Sequence, residues 1–192
     1  MNRYPMLRIG IALSAFLYCA TALAADEELL DLFAQKLEGS GASRIAAYLD
    51  QSATADQSLP NARNLKKLSA FGVVFAGRAK IEGDEVATLS YWTDDSNLSV
   101  PVVEATFKTI ATKLQQQHGP AKIADVPNFD DGPLSYRVFR WHVADEVILL
   151  SLHIRAQYAS LDIVRTKQTA WLAEMGAGES EFWEKTLKAS KK

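Results

Sequence analysis

The stretch "YRVFRWHVADEVILLSLHIRA", residues 136–156, decides the fold, because polar and apolar residues alternate on both sides of a short polar break. Such alternation is typical of two β-strands joined by a tight turn. The turn falls at Ala144-Asp145 or at Asp145-Glu146. Either register separates the faces in the same way, since directly opposed residues of an antiparallel pair share a side. One face is then apolar, with Phe139, Trp141, Val143, Ile148, Leu150, Leu152 and Ile154.

The opposite face of this hairpin is mixed and mildly basic. It holds Tyr136, Val138, Arg140, His142, Leu149, Ser151, His153 and Arg155. A third strand over residues 158–166 continues the separation, with Leu161 and Ile163 on the apolar side. Ser160, Asp162 and Val164 fall on the polar side. This pattern predicts an antiparallel meander that is buried on one face and solvated on the other.

Residues 99–120 carry the clearest helical pattern in the chain. Apolar residues recur there at intervals of four, three and four, which places them in one stripe along a helix. They are Val103, Phe107, Ile110 and Leu114. Ser99 is the expected N-cap, Pro101 suits the first turn, and Gly119-Pro120 should end the helix.

Helices are also expected near the N-terminus. Residues 26–41 predict one helix with an apolar side at Leu29, Leu30, Phe33 and Leu37. A shorter helix should follow around Ile45 and Leu49. Residues 50–64 lose apolar periodicity and predict a long loop, with a brief helix near Leu65 and Leu68.

The remaining segments complete an α+β fold. Residues 71–81 and 85–93 predict a hairpin closed by Gly83-Asp84. Residues 121–133 read as an acidic loop, and residues 167–192 as two short helices. The predicted order is ααββαβββα, in which two hairpins or a meander of about five strands form an antiparallel sheet covered on one face by helices.

The first 24 residues predict a secretory signal peptide. Arg3 and Arg8 precede an apolar run that ends in the small-residue pattern Ala22-Leu23-Ala24, so cleavage is expected before Ala25. Residues 25–192 then form a single globular domain, located in the periplasm or secreted. Tyr18 precedes Cys19 where a lipoprotein would carry a small residue, which argues against a lipid anchor.

Composition excludes several functional classes. Cys19 is the only cysteine of the chain and would leave with the signal peptide, so we expect no disulfide and no thiolate chemistry. Removal of Arg3 and Arg8 lowers the basic count from 21 to 19 against 23 acids, so the formal charge moves from −2 to −4. This acidic balance argues against nucleic acid as a partner. We also predict no membrane span, since no segment reaches about 20 apolar residues.

The polar face of the hairpin is the candidate site. His142, His153 and Asp162 would suit a zinc ion, but His142 and His153 are not cross-strand opposites in either register, and we predict no metal. Arg140, Arg155 and the two histidines could instead bind an anion or an acidic protein. A face that is only solvated is the third interpretation and the one that the sequence favours. Trp183, in the tail, is a further candidate anchor for a partner.

No catalytic motif is present. The G-x-S-x-G elbow, the H-E-x-x-H zinc motif and the glycine-rich phosphate loops are all missing, and residues 93–97 and 128–132 do not have the spacing of a calcium loop. We therefore predict a non-enzymatic binding protein without a cofactor, whose partner is another envelope or secreted protein, as for an inhibitor, an immunity protein or an assembly factor. The alternatives are a small-molecule or anion-binding domain with a pocket between the central helix and the sheet, and a hydrolase with an unrecognised site.

Overall fold

A seven-stranded antiparallel sheet forms the centre of the protein. The computed structural model describes residues 26–37, 43, 45–49, 61–83, 85–95, 98–127, 134–155 and 158–174. The strands are β1 Ala62–Ala70, β2 Val73–Glu82, β3 Glu85–Thr93, β4 Lys122–Pro127, β5 Leu134–Val143, β6 Glu146–Arg155 and β7 Tyr158–Lys167. The helices are α1 over residues 26–34, α2 Val100–His118 and α3 Gln168–Glu174. Residues 43, 45 and 46, where the second short helix was predicted, are also helical.

The strand order is β1-β2-β3-β7-β6-β5-β4. Two meanders, β1–β3 and β4–β7, therefore share one sheet, and the pairing of β3 with β7 joins them. The α+β class with an antiparallel sheet is confirmed. The prediction of about five strands is wrong, and the element order among the described residues differs from the predicted one by an added strand before each hairpin.

Two segments that were not predicted as strands are strands: β1, expected as a loop and a brief helix, and β4, expected as a loop. In β1, the register shifts between Leu65 and Leu68, so both side chains are buried on one side although they lie three residues apart. A bulge of this kind breaks the period of two and imitates helical spacing, which explains the incorrect prediction of a brief helix. The other segment, β4, is a six-residue edge strand that pairs only with β5 among the described residues.

Both predicted hairpin turns are confirmed. Val143 pairs with Glu146, so the turn is Ala144-Asp145, and Ala144 takes a positive φ of 57°. Glu82 pairs with Glu85, and Gly83 takes a φ of 64° in the turn between them. The register of β5 and β6, and with it the separation of their faces, is the predicted one.

Helices α1 and α2 pack on the face that holds Trp141 and Leu150, and both of these side chains are buried. The predicted stripe of α2 is buried against the sheet, with Phe107 edge-on to Phe139 at a centroid distance of 5.0 Å. Ser99 is the N-cap but makes no side-chain capping bond. Gly119 ends α2, and its carbonyl accepts a 3.0 Å hydrogen bond from Nε1 of Trp141.

A buried ion pair ties α1 to the sheet. Arg165 on β7 and Glu146 on β6 face α1, each about 1% exposed at the side chain, and the guanidinium Nε donates to the carboxylate. Arg165 also donates from Nη1 to the carbonyl of Phe33 at 2.5 Å. Glu146 accepts the backbone N–H of Leu37 at 2.9 Å. The pair therefore completes hydrogen bonds of the chain at and just after the end of α1, where backbone groups lack helical partners.

The third helix lies on the opposite face of the sheet. Helix α3 follows β7 directly, and the backbone N–H of Gln168 bonds to the carbonyl of Asp145. Ala170 is buried, and the ring of Trp171 stacks with Arg140, which lies on the sheet face opposite α1 and α2. The expectation that helices cover one face only is thus wrong at this point, because the chain leaves β7 and turns back over the face that was expected to be solvated.

Candidate functional site

The candidate site is the sheet face opposite α1 and α2, which we call the open face. Cross-strand register defines its two central rows, listed here in strand order β2, β3, β7, β6 and β5. The first row is Arg78, Ser90, Val164, Leu149 and Arg140, and the second is Ala76, Trp92, Asp162, Ser151 and Val138. Helix α3 covers part of this face next to the first row.

The face is only partly polar. All five residues of the first row are half-buried, whereas Ser151 and Val138 in the second row are buried. In the neighbouring row, Val147 is fully buried although it also lies on this side of the sheet. The open face is therefore neither a plain solvated surface nor a second core.

A cluster of four side chains occupies one end of the open face. Nε2 of His153 lies 2.9 Å from Oδ2 of Asp162, and the two side chains are 40% and 35% exposed. The ring of Tyr136 packs on the imidazole at a centroid distance of 4.4 Å. The Tyr136 hydroxyl reaches Oγ of Ser151 at 3.4 Å. Tyr136 is the direct cross-strand neighbour of His153, and Asp162 is its diagonal neighbour, so the register itself assembles this cluster.

The cluster orients an imidazole but not a nucleophile. A carboxylate that holds one nitrogen of a histidine fixes the ring, as in the base–orienter pair of many hydrolases. A hydrolase also needs the nucleophile bonded to that base. Here the Ser151 hydroxyl contacts Tyr136, and the serine is buried. This geometry suits hydrogen bonding to a partner better than acyl transfer.

Two arginines of the open face stack on tryptophan rings. The guanidinium carbon of Arg78 lies 5.7 Å from the ring centre of Trp92, and that of Arg140 lies 5.2 Å from the ring centre of Trp171. Cation–π contact of this kind fixes the direction of a long side chain. The two stacked pairs stand at opposite ends of one cross-strand row.

His142 lies beyond Arg140 on β5 and is exposed. Although the residue is exposed overall, partial desolvation of its imidazole lowers the pKa, and the charges of Arg140 and Lys122 lower it further. Lys122 is the cross-strand neighbour of Arg140 on β4. Arg140 and Lys122 give the β4–β5 edge of the open face a positive potential, which disfavours protonation of His142.

The three residues that were considered as zinc ligands, His142, His153 and Asp162, are not brought together. His153 and Asp162 are in contact, but His142 pairs with Val147, at the far end of the same strands. Among the residues that the structure describes, no three histidine, cysteine, aspartate or glutamate side chains could hold one metal ion.

For two predicted site residues, Arg155 and Trp183, the side chains lie outside the described residues. Arg155 ends β6 on the open-face side of the register, opposite Tyr158, but its side chain lies outside the described residues. Trp183 and residues 1–24, the predicted signal peptide, also lie outside them. Trp92, Trp171 and Arg78 are residues of the open face that sequence reasoning missed. Alternation within β2 and β3 could have paired Arg78 with Trp92, but only the joining of the two meanders places them beside Arg140.

The alternative pocket between α2 and the sheet is filled by side chains. The stripe of α2 packs directly on the sheet, and Ile110, Leu114, Ile148 and Leu150 are all without exposed surface. A small ligand would have to displace this core.

Searches among family models, curated proteins and solved structures give no match to this chain. Within the described residues, no helix is both long and apolar enough to cross a membrane.

Proposed function

We propose that this protein is an exported, non-enzymatic binding protein that uses the open face of its sheet to bind another envelope or secreted protein. The observation that carries the proposal is the composition of the open face. It combines two arginines stacked on tryptophans with a Tyr136–His153–Asp162 cluster and half-buried apolar residues between them. Arginine, tryptophan and tyrosine are the residues that contribute most to protein interfaces.

Export supports the same proposal from the sequence. The basic start, the apolar run and the Ala22-Leu23-Ala24 pattern predict a mature protein that begins at Ala25. The intact mass of the protein recovered from the periplasm or the medium measures the cleavage site. A retained residue 1–24 or a lipid on Cys19 would contradict export as a soluble protein.

The binding test compares the wild-type protein with an open-face variant. The mature chain serves as bait for an envelope extract, beside Arg140→Ser and the double variant Arg140→Ser/Arg155→Ser. A matched control replaces Lys108 and Lys113, which are exposed on α2 on the other side of the sheet. We expect thermal unfolding to change little in the lysine control, because a surface substitution costs within about 0.5 kcal/mol. The Arg140 variants also lose the contact with Trp171, which is worth about 0.5–2 kcal/mol, and should still fold. Proteins that the wild type and the control retain should be lost from the open-face variants.

Two results would refute the proposal. One is an open-face variant that folds and retains every protein that the wild type retains. The other is unfolding of the arginine variants, which would mean that this face is part of the core rather than a binding surface.

A further inference from the structure

Helix α3 sets the direction in which the C-terminal part of the chain leaves the sheet. It follows β7 without a loop, and the N–H of Gln168 donates to the carbonyl of Asp145, which holds the start of the helix against the sheet. The ring of Trp171 lies 5.2 Å from the guanidinium carbon of Arg140 on the open face. The chain therefore continues into residues 175–192 from the open face, and not from the side of α1 and α2.

The open face next to α3 has an apolar centre with positive charge at both ends. Val164 and Leu149, in the middle of the first row, are half-buried, and Val138 in the second row is buried. Arg78 and Arg140 stand at the two ends of the first row, and each makes a further interaction within the chain besides the contact with its tryptophan. The arginines are therefore already engaged by the protein itself.

Residues 179–188, which we call the tail segment, have a sequence that complements this surface. A helix places residues four apart on one side, so Glu179, Trp183 and Leu187 would form one stripe, with Phe182 beside it. The opposite side of such a helix is fully charged, with Glu181, Lys185 and Lys188. The tail segment thus has the pattern of an amphipathic helix whose apolar side also carries an acid.

The dimensions of the tail segment and of the row agree. The row from Arg78 to Arg140 crosses four strand spacings, which is about 19 Å at about 4.8 Å per spacing. A helix over residues 179–188 would be about 15 Å long, at about 1.5 Å per residue. Gly176 and Gly178 separate it from α3, and glycine allows the sharp change of direction that would lay the helix across β6, β7 and β3.

We propose that the tail segment docks as a helix on the open face, with Trp183 and Leu187 over Val164 and Leu149, and that the partner protein must displace it to bind. This inference rests on the proposed function, because it makes the tail segment a competitor of the partner for one surface. A segment tethered through a short connection has an effective concentration in the millimolar range, so modest contacts hold it in place.

Hydrogen–deuterium exchange of the mature chain tests the docking. In the wild type, we expect the backbone amides of the tail segment to exchange at least about tenfold more slowly than those of a free synthetic peptide of residues 175–192. The double variant Phe182→Ser/Trp183→Ser removes the aromatic contacts and should return exchange to the rate of the free peptide. Thermal unfolding should show that this variant keeps its fold.

Variants of the open face show where the tail segment is held. Arg78→Gln/Arg140→Gln removes the charges that face its acids, and should raise its exchange rate severalfold. Lys108→Gln/Lys113→Gln is the matched charge control, because both lysines are exposed on α2 on the other side of the sheet. The control should leave exchange unchanged.

A pair of introduced cysteines gives the position of the tail segment directly. Cys19 is the only cysteine of the chain, so a chain that begins at Ala25 carries only the thiols that are introduced. Val164→Cys/Leu187→Cys should form a disulfide under mild oxidation, because a disulfide requires α-carbons within about 7 Å. Thr112→Cys/Leu187→Cys should not, since Thr112 is exposed on α2.

Three results would overturn the docking: exchange of the wild-type tail segment at the rate of the free peptide, disulfide formation as fast with Thr112→Cys as with Val164→Cys, or protection that Arg78→Gln/Arg140→Gln leaves intact. Displacement is refuted if Phe182→Ser/Trp183→Ser releases the tail segment but retains no more of an envelope protein that the wild type retains. A freely exchanging tail segment, together with a partner that needs the open face, would refute this inference and leave the proposed function standing.

Discussion

The Glu146–Arg165 pair offers the sharpest test of how the structure is held together. Both side chains are almost fully buried, and each also bonds to the backbone at or just after the end of α1. Arg165→Met would leave the Glu146 carboxylate buried without its cation. Removal of one partner of a buried pair typically costs about 3–5 kcal/mol, because the other charge stays uncompensated. Glu146→Leu should cost a similar amount for the same reason.

The double variant Glu146→Leu/Arg165→Met leaves no buried charge without its partner. It leaves the Leu37 N–H and the Phe33 carbonyl without their partners, and each unsatisfied buried group costs about 1–3 kcal/mol. The expected loss is therefore about 2–6 kcal/mol, compared with about 6–10 kcal/mol if the two single losses were additive. Urea unfolding of the four proteins measures this difference as a coupling energy.

The pair of Lys167 and Glu85 provides the matched control. It also joins opposite charges across neighbouring strands, but the Glu85 side chain is 58% exposed. The double-mutant cycle for this exposed pair should give a coupling of at most about 1 kcal/mol. If the losses at Glu146 and Arg165 prove additive, the buried ion pair does not exist in solution, and the attachment of α1 described above is wrong.

Three further predictions address the core and the histidines. Trp141→Ala should lower the free energy of unfolding by about 3–5 kcal/mol in a urea titration, whereas a surface-like loss below about 0.5 kcal/mol would invert the face assignment. Gly77→Ala should cost about 1–3 kcal/mol, because an added Cβ would lie 2.3 Å from the Tyr91 ring, and an unchanged melting temperature would contradict this contact. Burial lowers the pKa of His118, with the Arg165 charge adding to the effect, and burial also lowers the pKa of His142. As the pH falls, the unfolded chain therefore takes up protons before the folded protein does. The free energy of unfolding should be largest above about pH 6.5 and decrease as the pH drops below it. A melting temperature that increases as the pH is lowered from 7 to 5.5 in the wild type, but not in a His118→Gln/His142→Gln variant, would refute this sign.

The parts of the fold that could be predicted depend on strict periodicity. The hairpin of β5 and β6 alternates without interruption, so its turn and its two faces follow from the sequence. Strand β1 contains a bulge between Leu65 and Leu68, and its leucines imitate a helix. Strand β4 is short, polar and at an edge, so it has no buried stripe from which to recognise it.

The site was harder to predict, because it depends on contacts between distant segments. Alternation placed Arg140, His142 and His153 on one face, and the register confirms that placement. It could not show that Trp171 turns back onto Arg140, or that Trp92 becomes the neighbour of Asp162. The buried Glu146 and Arg165 shared the parity of Leu150 and Ile163, so two opposite charges on an apolar face were the signal that was overlooked.

The position of β7 has a consequence for how the chain folds. This strand is the last of the described strands in sequence but lies in the middle of the sheet, between β3 and β6. The hydroxyls of Thr88 and Thr166, in contact across β3 and β7, are separated by 78 residues of chain. Contacts of such high sequence separation form slowly, because the entropy of closing the loop is lost before they stabilise anything. A nascent chain can therefore make its local hairpins early, but the two meanders cannot merge until residues 158–167 have emerged, and a truncation before Tyr158 should yield a chain with exposed strand edges that aggregates rather than a smaller folded protein.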